Sequence, residues 1–253
     1  MDTHYINKNW LTLASIDEIL QRNKQLVLSQ EAEQAVVKCR AYLDDKLTRH
    51  EKPIYGINTG FGSLCNTEIS EQDLGTLQRN LVMSHACGMG EEVPQDVVKL
   101  MLLLKIQGIS YGHSGVQLVT VQRLIDFYNN DVFPVVYEQG SLGASGDLAP
   151  LAHMSLPLLG VGEVNYRGEK ITTEELNKKL GWEPITLQSK EGLALLNGTQ
   201  FMSAYGIHSL LRTKKLSIFE DIVTAISLDA YDGRIEPFND LIHKVRPHNG
   251  QFI

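Results

Sequence analysis

Cysteine is scarce in this 253-residue chain, which has three, Cys39, Cys65 and Cys87. An odd number at no metal-like spacing argues against a disulfide framework and for a reducing compartment. A basic excess is also lacking. Lys and Arg total 23 against 30 Asp and Glu, a formal net charge of −7 with His neutral, so nucleic acid is not an expected partner. Apolar runs such as Leu100–Leu104 fall far short of the ~20 residues that a membrane span needs. Asp2, His4 and Asn7 interrupt the N-terminal stretch where a secretory leader requires unbroken apolar residues. With only 8 prolines, 21% charged residues and 43% hydrophobic ones, the chain is neither disordered nor of low complexity, and one or two packed domains are expected. These absences predict a soluble, acidic, cytoplasmic protein without a membrane partner.

What is present is mostly helical periodicity, so the predicted fold class is mainly α with a few short strands. Ser15 and Glu18 read as a capping box that opens a short helix. A second helix is predicted from about Ser29 to Arg49, ended by Pro53. Ser70 and Asp73 precede a third with Leu74, Leu77, Leu81 and Val82, and Pro94–Asp96 starts a fourth through Val97, Met101, Leu104 and Ile106; proline is at home in a first helical turn. A fifth fits Val116–Tyr128. Strands are predicted at Val132–Tyr137 and as a hairpin over Val161–Ile171 turning at Arg167–Gly168. From Asn197 to Ala230 the spacing of Phe201, Ala204, Ile207, Leu211, Ile218, Ile222, Ala225 and Leu228 predicts one long helix. Its wide apolar side calls for partner helices.

Four stretches break the helical pattern with glycine: Tyr55–Gly62, Ser84–Gly90, Gly140–Asp147 and Leu193–Thr199. Glycine there marks unusual backbone geometry or a close ligand. Common motifs fail on them. Ser145 and Ser114 lack the glycine two residues later that a nucleophile elbow needs. Gly60–Gly62 and Gly160–Gly162 lack the third glycine of a dinucleotide turn, and no phosphate-loop lysine follows. His243 and His248 have no helical metal-binding spacing, so no metal site is expected.

Ala144–Ser145–Gly146 remains. In a compressed turn the amide nitrogen of Gly146 can attack the carbonyl carbon of Ala144 and close a five-membered ring. Loss of two waters, one from the ring and one from the serine side chain, leaves an exocyclic methylene conjugated to a carbonyl, an electrophile made without an external cofactor. The following segment, with Pro150 in its first turn, reads as a helix N-terminus whose dipole favours negative charge on the ring oxygen. On the tripeptide alone, a plain glycine turn ahead of a helix is the commoner arrangement.

The surrounding residues carry a resemblance. Gly140–His153, reading GSLGASGDLAPLAH, closely resembles the signature of the aromatic amino acid ammonia-lyases, which form a 4-methylidene-imidazol-5-one (MIO) group from Ala-Ser-Gly. Tyr55–Gly62 resembles the family's tyrosine loop and Leu193–Thr199 its asparagine motif. Asn80–His85, and Arg246–His248 with Asn249 where proline is usual, are most similar to the histidine ammonia-lyases. The resemblance runs from about Leu11 to the end. It implies conversion of L-histidine to trans-urocanate and ammonia, with Ala144, Ser145 and Gly146 as the electrophile and Tyr55 as catalytic base. It also implies His85 at the substrate's imidazole and Asn197 at the prosthetic group and substrate carboxylate. A free tyrosine ionises near pH ~10, so such a base implies an alkaline optimum.

On the residues alone, His85 also fits a hydrogen-bonded core histidine, Asn197 a cap on the long helix, and Cys87 a small apolar residue. His113, His153 and His208 are read as structural. The resemblance further implies a homotetramer and chains about twice this long, with 1–195 as an N-terminal lyase domain and 196–253 as the start of a truncated central helical bundle. Two alternatives stand beside the histidine reading: a tyrosine or phenylalanine lyase or 2,3-aminomutase of the same family, and a non-catalytic fragment or assembly partner.

Overall fold

The computed structural model describes residues 2–49, 53–61 and 66–251. Cys65 and Gly62 lie outside the described residues, as does the segment between Arg49 and Pro53. The chain divides into two compact units, Met1–His208 and Ser209–Ile253.

In the first unit, strand β1 (Thr3–Ile6), helix α1 (Leu13–Gln21) and strand β2 (Gln25–Leu28) form a small β-α-β unit in which β1 and β2 pair in parallel, Ile6 opposite Leu28. Neither strand is legible in the helical periodicity. The capping box of α1 is also shifted from the predicted Ser15–Glu18 pair: Thr12 caps the helix, accepting from the Ser15 amide at 3.1 Å, while Ser15 Oγ accepts from the Thr12 amide at 2.8 Å. Serine plays the part expected of glutamate because its hydroxyl accepts over the same short reach.

Helices α2 (Gln30–Arg49), α3 (Leu74–His85), α4 (Gln95–Ser110) and α5 (Leu118–Asn129) follow. α4 is the central one, with eleven of its sixteen residues buried, so it presents no polar face. α2 is tied to the loops beneath it by Arg40, whose Nη1 donates to Gly115 O at 2.7 Å and Ser189 O at 2.8 Å.

The single predicted strand at Val132–Tyr137 is two. β4 (Val132–Pro134) pairs with β6 (Glu163–Tyr166), and β5 (Tyr137–Gln139) pairs with β3 (Met89–Glu92), because the chain changes sheets at the buried Val135–Val136. The hairpin is as predicted: β6 and β7 (Glu169–Thr172) run antiparallel, with positive φ at Arg167 and Gly168. Helices α6 (Leu148–Ser155), α7 (Thr173–Leu180) and α8 (Glu191–Leu196) complete the core, which gathers Leu26, Val36, Leu81, Met101, Leu124, Leu151, Leu158 and Leu195.

The long helix α9 spans Gln200–Ala230, starting three residues later than the pattern suggested. Within the second unit its Leu216, Phe219, Ile222, Val223 and Ile226 are exposed. That unit also holds α10 (Asp240–Val245), followed by a 3-10 turn at Asn249–Gln251. Among the described residues, no helix is long and apolar enough to cross a membrane.

Candidate active site

A cavity of about 720 Å³ in the first unit is lined by Tyr55, His85, Ser145 and Asn197, with Phe61, Leu81 and Leu193 among its apolar walls. Four separate sequence stretches therefore deliver one candidate residue each to the same space. Its size is in the range of small-molecule sites.

Tyr55 sits on a tight turn. The Ile54 amide donates to Asn58 Oδ1 at 2.6 Å, and Gly56, at φ +72°, donates its amide to Thr59 Oγ1 at 3.3 Å. A Cβ at Gly56 would fall 2.5 Å from Leu193 Cδ2, so this glycine lets the turn close on the asparagine segment. The Tyr55 ring meets Phe61 edge-on at 6.1 Å between centroids, and the side chain is exposed.

His85 ends α3. Its Nδ1 lies 2.8 Å from Leu81 O. A carbonyl only accepts, so Nδ1 carries the proton and, in the neutral ring, Nε2 is the acceptor.

Ala144 and Ser145 are exposed at the tip of a reversal in which Ala144 and Gly143 both bridge to Gly146. Gly146, at φ +100°, rests on another glycine: a Cβ here would lie 2.4 Å from Gly198 O. The Asp147 amide donates to the same Gly198 carbonyl at 2.8 Å, and Asp147 Oδ2 accepts from the Met202 amide at 3.0 Å. α6 begins at the next residue, with Pro150 in its first turn.

Asn197 caps the end of α8 rather than the start of α9. The reason is local: its amide closes the last turn of α8 onto Leu193 O at 3.0 Å, and Gly198, at φ +148°, then breaks the chain before α9 begins. Its side-chain Nδ2 donates to Leu193 O at 3.2 Å.

His113, read from sequence as structural, also lines the cavity, together with Ser114 and Lys190. Lys190 Nζ donates to Ser114 O at 2.7 Å, and burial holds its ammonium below the ordinary lysine value. The only sequence signal for these residues was the glycine pair that flanks His113 and Ser114, Gly112 and Gly115, both at positive φ. His153 and His208 do not line the cavity. Instead, His153 Nε2 accepts from the Gly88 amide at 2.9 Å.

The profile of the family "Aromatic amino acid lyase" matches residues 11–252. Histidine ammonia-lyase of Caldanaerobacter subterraneus is 44% identical over 248 residues, 98% of this chain and 49% of that protein. Among solved structures, the histidine ammonia-lyase of Trypanosoma cruzi superposes with a TM-score of 0.88 at 36% identity, covering 98% of this chain and 48% of that one. The phenylalanine aminomutase of Pantoea agglomerans gives 0.89 at 30% identity, covering 99% and 48%. The chain spans about half the length of these relatives and corresponds to their N-terminal half.

Proposed function

The chain belongs to the aromatic amino acid lyase family, and from that premise we propose that it carries the electrophile-bearing half of a histidine ammonia-lyase acting on L-histidine. The observation that carries this reading is the convergence of Tyr55, His85, Ser145 and Asn197 on one cavity.

The residues present fit an MIO group. Gly146 has no room for a side chain against Gly198, and the reversal that bridges Ala144 to Gly146 supports a turn in which the Gly146 nitrogen could reach the Ala144 carbonyl. Formed from Ala144, Ser145 and Gly146 without an external cofactor, the group would supply an electrophile for the substrate's amino group. Tyr55, exposed on its turn, would take the β-proton. His85, with its ring orientation fixed by Leu81 O, would meet the substrate imidazole. Asn197 would orient the carboxylate through its amide, and the α6 N-terminus would favour negative charge beside Ser145. The exposed apolar residues of α9 suit burial between copies, as in a homotetramer.

Two measurements test the proposal. Intact-mass analysis should show a loss equal to two waters, located by peptide mapping to residues 144–146; an unmodified mass would overturn the electrophile. Urocanate formation from L-histidine, followed by its ultraviolet absorbance on the protein carrying this chain, should exceed turnover of L-tyrosine and L-phenylalanine. Preference for either of those, or a β-amino acid product, would overturn the histidine assignment in favour of a sister lyase or an aminomutase. A Tyr55→Phe change should lower kcat by about 10²-fold or more.

A further inference from the structure

The carbonyls of Ala194 and Asn197 lie at the C-terminal end of α8, where helix geometry leaves them without intrahelical donors. One side chain from another element takes both: Lys105 of α4, 1% exposed, donates from Nζ to each at 3.1 Å. Asn197 leads directly into Gly198, whose backbone is the wall against which Gly146 rests and whose carbonyl accepts from the Asp147 amide. A lysine is an unexpected choice for the middle of a core helix, since a buried cation is destabilising unless it is well partnered. Here its partners are the two carbonyls, with Asp147 the charged group that acts on it.

We propose that Lys105 is a positioning residue that holds the Asn197–Gly198 turn against Gly146 and so fixes the compressed geometry in which Ala144–Ser145–Gly146 closes its ring. This rests on the ring-forming reading above. Ring closure joins the Gly146 nitrogen to the Ala144 carbonyl carbon. The Ala144 oxygen departs as water with the Gly146 and Ser145 amide hydrogens, and the Ser145 hydroxyl departs as a second water with its Cα hydrogen. The sequence is redox-neutral and needs no co-reactant. Lys105 touches none of these atoms and acts only through the turn.

The test compares wild type with Lys105→Met, using hydrogen exchange of peptides covering 143–150 and 194–202 together with intact mass, at a temperature where both are folded. Expected are at least tenfold faster exchange in those two peptides, with α4 otherwise unchanged, and retention of the two waters. Unchanged exchange and a normal two-water loss in the variant would overturn the role of Lys105 while leaving the ring reading intact. A wild-type chain with protected peptides but no water loss would instead sink the ring reading. Leu103→Ala, which opens a cavity in the same helix, should lower the melting temperature yet keep the water loss; if it too stops ring closure, general destabilisation explains the effect and the proposal falls. If the methionine variant does not fold, Lys105→Gln, one atom shorter and uncharged, should show the same direction of change, and unchanged exchange there overturns the proposal equally.

Discussion

Replacing Lys105 by methionine should change how stability depends on pH. Burial draws the Lys105 ammonium from its ordinary 10.5 down to about 7, with Asp147 opposing in part. Between those values the unfolded chain holds the proton and the folded chain does not, so stability rises with pH through this window and levels off above it. The full span, at about 1.36 kcal/mol per pH unit, is worth about 5 kcal/mol. Titrating both states from pH 7 to pH 9.5 leaves about 3 kcal/mol of that gain. The methionine variant lacks it and also strands the carbonyls of Ala194 and Asn197, at about 1–3 kcal/mol each. Near pH 7 the relief of the buried cation and the loss of these hydrogen bonds come close to cancelling. At pH 9.5 wild type should be further ahead by about 3 kcal/mol, a shift in urea midpoint of about 1 M for a slope near 3 kcal/mol per M. Tryptophan fluorescence is a suitable signal, because Trp10 and Trp182 both belong to the first unit. Groups that titrate alike in both proteins cancel in the difference. A gap constant to within about 0.5 kcal/mol, or one that narrows with rising pH, would refute the buried-cation reasoning.

Other consequences are equally direct. Gly146→Ala places a Cβ 2.4 Å from Gly198 O at a φ of +100°, so the variant should keep both waters by intact mass and lose about 1–3 kcal/mol in urea titration. Glu191, fully buried, accepts from the Gln117 amide at 2.8 Å, the Gln188 amide at 2.7 Å, Gln117 Nε2 at 2.6 Å and Thr120 Oγ1 at 2.7 Å. Glu191→Gln turns an acceptor into a donor facing donors, so denaturation should show a loss of about 3 kcal/mol; less than 0.5 would contradict the bonding pattern. His153 must be neutral at Nε2 to accept from Gly88, and burial holds its pKa below 6.5. The folded state therefore loses stability as pH falls below 6.5, and the advantage of wild type over His153→Phe in melting temperature should shrink from pH 7 to pH 5.

Legibility in the sequence follows from how local each feature is. α2, α3, α4 and α5 could be read because their apolar spacing, and for the first three a Pro or Ser start, lies within one segment. β1 and β2 are four residues each and acquire meaning only by pairing with one another, as β3 does by pairing with β5 across the intervening helices. The four glycine-broken stretches were legible as interruptions of the helical pattern, but Tyr55, His85 and Asn197 were singled out within them only by the resemblance of the surrounding motifs; that these three and Ser145 line one cavity is a tertiary fact. Lys105 was not, because in the run Leu102–Ile106 a single lysine reads as the exposed edge of a helix. Only the contacts with Ala194 and Asn197, far along the chain, show that it points inward.

The same distinction bears on when the proposed electrophile would form. The tripeptide that would cyclise is contiguous, but its surroundings are not: Gly146 lies so close to Gly198 that no side chain would fit, and Gly198 follows a turn held by Lys105 from a third segment. Gly198 is constrained by its backbone, whose φ of +148° is one that L side chains rarely adopt. On the proposed reading, two glycines from distant segments would have to meet backbone to backbone before the Gly146 nitrogen could approach the Ala144 carbonyl. Local propensity in residues 144–146 cannot supply that approach, because an isolated Gly-Ala-Ser-Gly stretch relaxes by rotating its free φ and ψ. On the proposed reading, ring closure would follow tertiary folding rather than precede it, and the packing that selects the fold would also make the chemistry available.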